Sequence, residues 1–178
     1  MPRQVALLRG INLAKRRRVG MADLRRLLEE AGYEDVRTHL QSGNVVLSSP
    51  LSPRKLEAAL ERQLAQGLGI KVRVLVRTRA ELAKVVAEDP LVDVASNGSR
   101  YLVTFLSKRL SAKDTRELEA ADVAPERVVV RGREVYAWHP DGLQRSPLAK
   151  LVGERARGVD STARNWNTVT RLLELLED

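Results

Sequence analysis

The apolar positions of the chain switch between two periods, and their order predicts the first half of the fold. Val5 to Leu8 form a short apolar run closed by Arg9-Gly10, the pattern of a buried strand that stops at a glycine. After a polar stretch, Met21, Leu24, Leu27, Leu28 and Ala31 recur at helical spacing, and Gly32 supplies a C-terminal stop. Asp35 to His39 and Asn44 to Ser48 are β-rich runs joined through Leu40-Gln41-Ser42-Gly43, which suits a hairpin turn. Ser52-Pro53 places a cap and a first-turn proline before Leu56, Leu60, Leu64 and Leu68, the stripe of a second helix. From Lys71 to Arg77 the valines 72, 74 and 76 alternate with charged residues, as on a half-buried strand. The sum is βαββαβ, the order of a ferredoxin-like split βαβ module, with two helices on one face of a four-stranded antiparallel sheet over residues 1–77.

Residues 78–99 read as a connecting helix and loop. Thr78-Arg79-Ala80-Glu81 is a capping box, and the helix it opens carries Leu82, Val85 and Val86 until Asp89-Pro90. The rest, residues 100–178, offers a strand at Tyr101 to Leu106, a helix opened by Ser111, and a hairpin of Arg127 to Arg131 with Glu134 to Trp138 around Gly132. Ser146-Pro147 starts a further helix with Leu148, Leu151 and Val152 inward, and Val169, Leu172, Leu173 and Leu176 mark a last one. No final strand is visible in the pattern. The expectation is an α/β (α+β) protein of two ferredoxin-like modules, the second an incomplete βαββα copy closed by a C-terminal helix.

Composition narrows the chemistry. The 178 residues are 43% hydrophobic, enough for a core without cross-links, and contain no cysteine. Disulfides, thiol nucleophiles and cysteine-bound metals are thereby excluded. The first apolar run is too short for a secretion signal and no later segment approaches a membrane span, so a cytoplasmic protein without membrane contact is expected. An excess of 31 Lys+Arg over 23 Asp+Glu, a formal charge of +8, favours anionic partners. The sequence lacks a Walker A loop, a dinucleotide GxGxxG, HExxH and a GxSxG elbow. Its two histidines, His39 and His139, exclude a multi-histidine metal centre, and no cofactor is required. Ser52-Pro53-Arg54-Lys55 fits an SxxK pattern, but a capped helix start explains it and the companion elements are missing.

Three polar segments remain as candidates. Arg9-Gly10-Ile11-Asn12, with the basic run Lys15 to Arg18, lies between a strand and a helix start, where backbone amides hold phosphate, or where a loop is simply solvated. Ser42-Gly43-Asn44 offers donors and acceptors to a ligand, or merely makes a turn. In Thr162-Ala163-Arg164-Asn165-Trp166-Asn167-Thr168 the arginine suits phosphate or carboxylate, the asparagines an amide or base edge, and the tryptophan a planar ring. The same asparagines and Thr168 would equally cap a helix, with Trp166 in the core.

Taken together, LLRGIN, MADLRRLLEEAGYEDVRTHLQSGNVV and TARNWNTVTRL, in this order, resemble the bacterial domain-of-unknown-function family number 1697 along essentially the whole chain. The resemblance implies ferredoxin-like halves and no particular activity. Its hallmark residues fall on Arg9, Gly10, Ile11, Asn12, Ser42, Gly43, Asn44, Thr162, Arg164, Asn165, Trp166, Asn167 and Thr168. Members are often glycine-rich after the first element, whereas Ala14-Lys15 and Arg16-Arg17-Arg18 stand here, so a glycine cradle for phosphate is weakened, and the basic side chains either take over its role or are a local accident.

The functional expectation is a binding protein that gathers these segments around an anionic ligand, a nucleotide or a nucleic-acid backbone. Base reading on exposed aromatics does not fit, since the strands Val5 to Leu8 and Asn44 to Ser48 carry none. One alternative is an enzyme on a phosphorylated or carboxylated small molecule, with Arg9 and Arg164 as clamps and Ser42 or a carboxylate reacting. Another is a scaffold whose hallmark residues only lock the modules. The oligomeric state is not legible.

Overall fold

The computed structural model describes residues 1–11 and 18–178. The chain divides into two compact units, Met1–Lys84 with Arg171–Asp178, and Val85–Thr170.

The first unit runs β1 (Arg3–Leu8), α1 (Met21–Glu30), β2 (Glu34–His39), β3 (Asn44–Ser48), α2 (Pro53–Leu68) and β4 (Val74–Thr78). Its four strands form one antiparallel sheet in the order β2-β3-β1-β4. Ala6, Leu8, Val45, Leu47, Val74 and Val76 face Leu24, Leu28, Leu56, Leu60 and Leu64 of the two helices in one core. Each such leucine contributes about 1.5–3 kcal/mol by leaving water. The helical spacing of α1 and α2 and the period-two alternation of the strands thus meet on one surface. α2 ends at Gly69 in the left-handed region, φ 64°, a conformation that glycine adopts without strain.

β4 is displaced from the alternating run of residues 71–77. It pairs with β1 only as far as Leu8, opposite Val74, because β1 ends there and the chain turns away at Gly10, φ 63°. A single bond from Arg9 N–H to the Arg73 carbonyl continues the pairing, and Lys71 to Arg73 lie outside the strand. The capping box forms as expected. Thr78 N–H donates to Glu81 and Glu81 N–H donates to Thr78 Oγ1, at 2.8 and 3.1 Å, to start α3 (Arg79–Ala87).

The second unit contains β5 (Tyr101–Leu106), α4 (Ala112–Glu119), β6 (Arg127–Arg131), β7 (Glu134–Trp138), α5 (Pro147–Arg155) and β8 (Ser161–Asn165), before α6 (Trp166–Glu177). It is not the incomplete copy that the sequence pattern suggests. Its sheet has four antiparallel strands in the order β6-β7-β5-β8, and β8 is the missing one. Ser-Thr-Ala-Arg-Asn lacks the β-branched apolar run of a core strand. As an edge strand it is held by backbone bonds to β5 on one side, so its side chains give little periodic signal. α4 and α5 cover a core of Leu106, Leu118, Val135, Ala137, Leu148 and Val152. Ser111 and Ser146 cap these helices by accepting from Asp114 N–H and Ala149 N–H. No helix among the described residues is long and apolar enough to cross a membrane.

Candidate functional site

In the first unit the backbone brings two of the candidate segments together. Leu8 N–H donates to the Gly43 carbonyl at 2.9 Å, and Gly43 has φ 83°. A Cβ at Gly43 would lie 2.8 Å from Leu8 Cβ and 2.7 Å from Ile11 Cδ1, so the glycine is needed both for its backbone angle and for the close approach. Asn44 is fully buried, and its side-chain amide donates to the His39 carbonyl at 2.7 Å and to Ser42 Oγ at 2.9 Å. Ser42-Gly43-Asn44 therefore closes the β2–β3 hairpin against the end of β1. Asn12 and Lys15 to Arg17 lie outside the described residues, and Arg18 is exposed.

Arg9 and Gly10 also border a concavity of this unit, a pocket of about 810 Å³. Its floor is the face of α2 that carries Ala58, Glu61, Arg62 and Ala65, and its far wall is Lys71 to Arg73, the segment leading into β4. The volume lies within the range of small-molecule sites. Four cationic side chains, Arg9, Arg62, Lys71 and Arg73, line it against one carboxylate, Glu61. That carboxylate is already engaged, since Val74 N–H donates to it at 3.0 Å and Arg73 at 3.3 Å. Glu57, one turn earlier, accepts from Val76 N–H at 2.9 Å. The two glutamates thus satisfy the open edge of β4, and the pocket lining carries four cationic side chains to one carboxylate. Sequence reasoning missed Arg62, Lys71 and Arg73. The available signal was the charged face of the 71–77 alternation beside a glycine-ended strand.

The third segment belongs to the second unit and is divided between two elements. Thr162, Ala163, Arg164 and Asn165 are β8, while Trp166, Asn167 and Thr168 open α6. Arg164 is buried, donates to Thr162 Oγ1 at 2.6 Å and to the Ala163 carbonyl at 2.9 Å, and burial pulls its pKa down to about 10. It remains a cation at neutral pH, bonded to its own strand. Asn165 Oδ1 accepts from Thr168 N–H at 2.9 Å, a helix cap. Trp166 stacks on Tyr101 with ring centroids 5.0 Å apart, and the Tyr101 hydroxyl donates to Asp89 at 2.5 Å. Asn167 is exposed and lies against Gly98, where a Cβ would stand 2.2 Å from its Oδ1.

A second polar cluster went unseen in the sequence. Glu126, His139 and Ser146 meet in the second unit, with His139 Nδ1 2.6 Å from Glu126 Oε2 and 3.0 Å from Ser146 Oγ. Ser146 donates to the same carboxylate, and Leu148 N–H donates to its other oxygen at 3.1 Å. Burial alone would raise the Glu126 pKa, but the bonds from Ser146, His139 and Leu148 outweigh it and hold the carboxyl below its ordinary value. The three residues are 13 and 7 positions apart, and none sits in a recognisable motif. Only the Ser146-Pro147 helix start hinted at one of them.

Comparison with known proteins places these features in context. A family model described as "Protein of unknown function (DUF1697)" matches residues 1–136. No curated protein sequence matches the chain. Among solved structures, the conserved bacterial protein SP0830 from Streptococcus pneumoniae has the same fold, with a TM-score of 0.77 at 21% identity over 98% of each chain.

Proposed function

The chain belongs to the DUF1697 family, and on that premise we propose that it is a binding protein for an anionic, phosphate-bearing ligand, a nucleotide or a nucleic-acid backbone. We read each unit as a ferredoxin-like module, with strand order and helix placement as support, and the first as the one that carries the ligand. Residues 1–77 and 100–178 are the two modules on this reading, joined through 78–99. The carrying observation is the 810 Å³ pocket in which Arg9, Arg62, Lys71 and Arg73 face a single, already bonded carboxylate.

Physical chemistry favours an anion there. Cationic side chains outnumber carboxylates around the concavity, and a polyanion offsets that excess while releasing its own counterions. Gly10 lets the main chain turn at the pocket rim without a side chain in the way. The overall charge of +8 adds long-range attraction for the same class of ligand.

Arg62 and Lys71 are exposed, so their replacement tests the reading without disturbing the core. Titration of the full chain with ATP and with a short single-stranded oligonucleotide compares the wild type with the double variant Arg62→Ala, Lys71→Ala. Loss of at least tenfold in affinity, with an unchanged melting temperature, is the expected result. Equal affinity in the two proteins would refute the pocket as the site. Salt separates the two ligand sources, because a backbone-bound oligonucleotide loses affinity steeply with added salt and an enclosed nucleotide much less.

A further inference from the structure

The Glu126, His139 and Ser146 cluster backs a groove that the anion pocket does not use. In the first unit α2 packs on the edge strand β4, whereas α5 of the second unit packs on α4 and β7. Between α5 and the β5–β8 part of the sheet lies a concavity of about 220 Å³. α5 turns Ala149, Gly153 and Ala156 towards it, and the sheet contributes Thr104 and Ala163. A Cβ built at Gly153 meets no atom within 4 Å, so the space beside it is open.

His139 lines the same groove and is 1% exposed. Its Nδ1 is committed to Glu126 and Ser146. The Ser146 hydroxyl donates to Glu126 and accepts from Ala149 N–H, so the short His139 contact to the carboxylate needs the proton on Nδ1. With the ring proton on Nδ1, Nε2 is the ring's acceptor, and Nε2 makes no hydrogen bond among the described residues. His139 lines the groove, so a donor placed there would give that nitrogen a partner.

We propose that this groove is a second ligand site, in which His139 Nε2 accepts a hydrogen bond from the hydroxyl or N–H of a small, uncharged and mostly apolar molecule. Glu126 is its positioning residue, fixing the ring and its tautomer. The alanines and Gly153 supply an apolar wall for the ligand body, and the volume equals that of about seven water molecules. The site is independent of the anion pocket and shares no residue with it.

The test uses the full chain and phenol, which has one hydroxyl donor on an apolar ring, with toluene as the donor-free control. The side-chain ¹⁵N resonances of His39 and His139 are the only histidine signals, and His39→Gln assigns them. Phenol is expected to shift His139 Nε2 saturably and toluene to leave it in place. Gly153→Leu fills the groove and is expected to abolish the shift with the Nδ1–H tautomer retained. Gly153→Ala, which fills it only in part, is expected to weaken phenol binding several-fold and serves should the leucine variant not fold. Absence of a saturable shift in the wild type, or undiminished binding in either glycine variant, would overturn the proposal.

Discussion

Gly43 stands so close to Leu8 that a methyl group on it would lie 2.8 Å from Leu8 Cβ, while Leu8 N–H bonds the Gly43 carbonyl. The end of the first strand and the turn of the first hairpin are therefore one structural unit, held together by residues 35 positions apart. Gly43→Ala adds both a left-handed backbone penalty and a clash with Leu8 and Ile11. A loss of about 2–4 kcal/mol in unfolding free energy is expected, measured by urea denaturation.

Asn44 supplies the second lock of that hairpin. Asn44→Ala strips the His39 carbonyl and Ser42 Oγ of a donor in a buried place and should cost about 1–3 kcal/mol. Asn44→Asp should cost more, because a carboxylate oxygen would face the His39 carbonyl. The order of the two melting temperatures, Asp below Ala, checks the direction of the bond.

Two groups make stability depend on pH. The Glu126 carboxyl is held below its ordinary value of 4.5, so its contribution is present above that pH and is lost as pH falls through the lower folded value. Burial, and then the charge of Arg171, depress the His39 pKa from 6.5. The unfolded chain binds that proton first, so stability falls as pH drops below 6.5. Thermal unfolding between pH 8 and 3 should show both losses. Arg171→Ala should reduce the upper one, and Glu126→Gln should flatten the lower.

Gly153 sits inside α5 with space where a side chain would go. Gly153→Ala should therefore raise stability by about 0.5–1 kcal/mol, through helix propensity alone. A loss of stability would show that the groove beside α5 is filled.

Much of the architecture was legible because buried elements advertise their period. Leu24 and Leu28 of α1, the leucine stripe of α2 and Val45 and Leu47 of β3 each lie on a face that meets the core. The capping box at Thr78 and the serine caps before α4 and α5 were equally readable, since a cap is a local pattern. β8 was not, because an edge strand of Ser, Thr, Ala, Arg and Asn has no apolar face to reveal it. The segment that contains it looked like a loop rich in ligand-binding groups, yet Arg164 bonds its own strand and Asn165 caps α6. The pocket cations were hidden for a different reason. Arg62, Lys71 and Arg73 come from stretches distant from the Arg9 that the sequence did single out, and only the turn at Gly10 and the packing of α2 on β4 bring them to one concavity with it.

The most direct test of the central claim is an amide chemical-shift titration of the full chain with inorganic pyrophosphate, the smallest probe with the required charge. Saturable shifts are expected at Arg9, Gly10, Lys71 and Arg73 and along the Ala58 to Ala65 face of α2, and not along α5. Shifts that avoid this set, or none at concentrations that saturate ordinary phosphate sites, would contradict the assignment of the first unit's basic pocket as the ligand site.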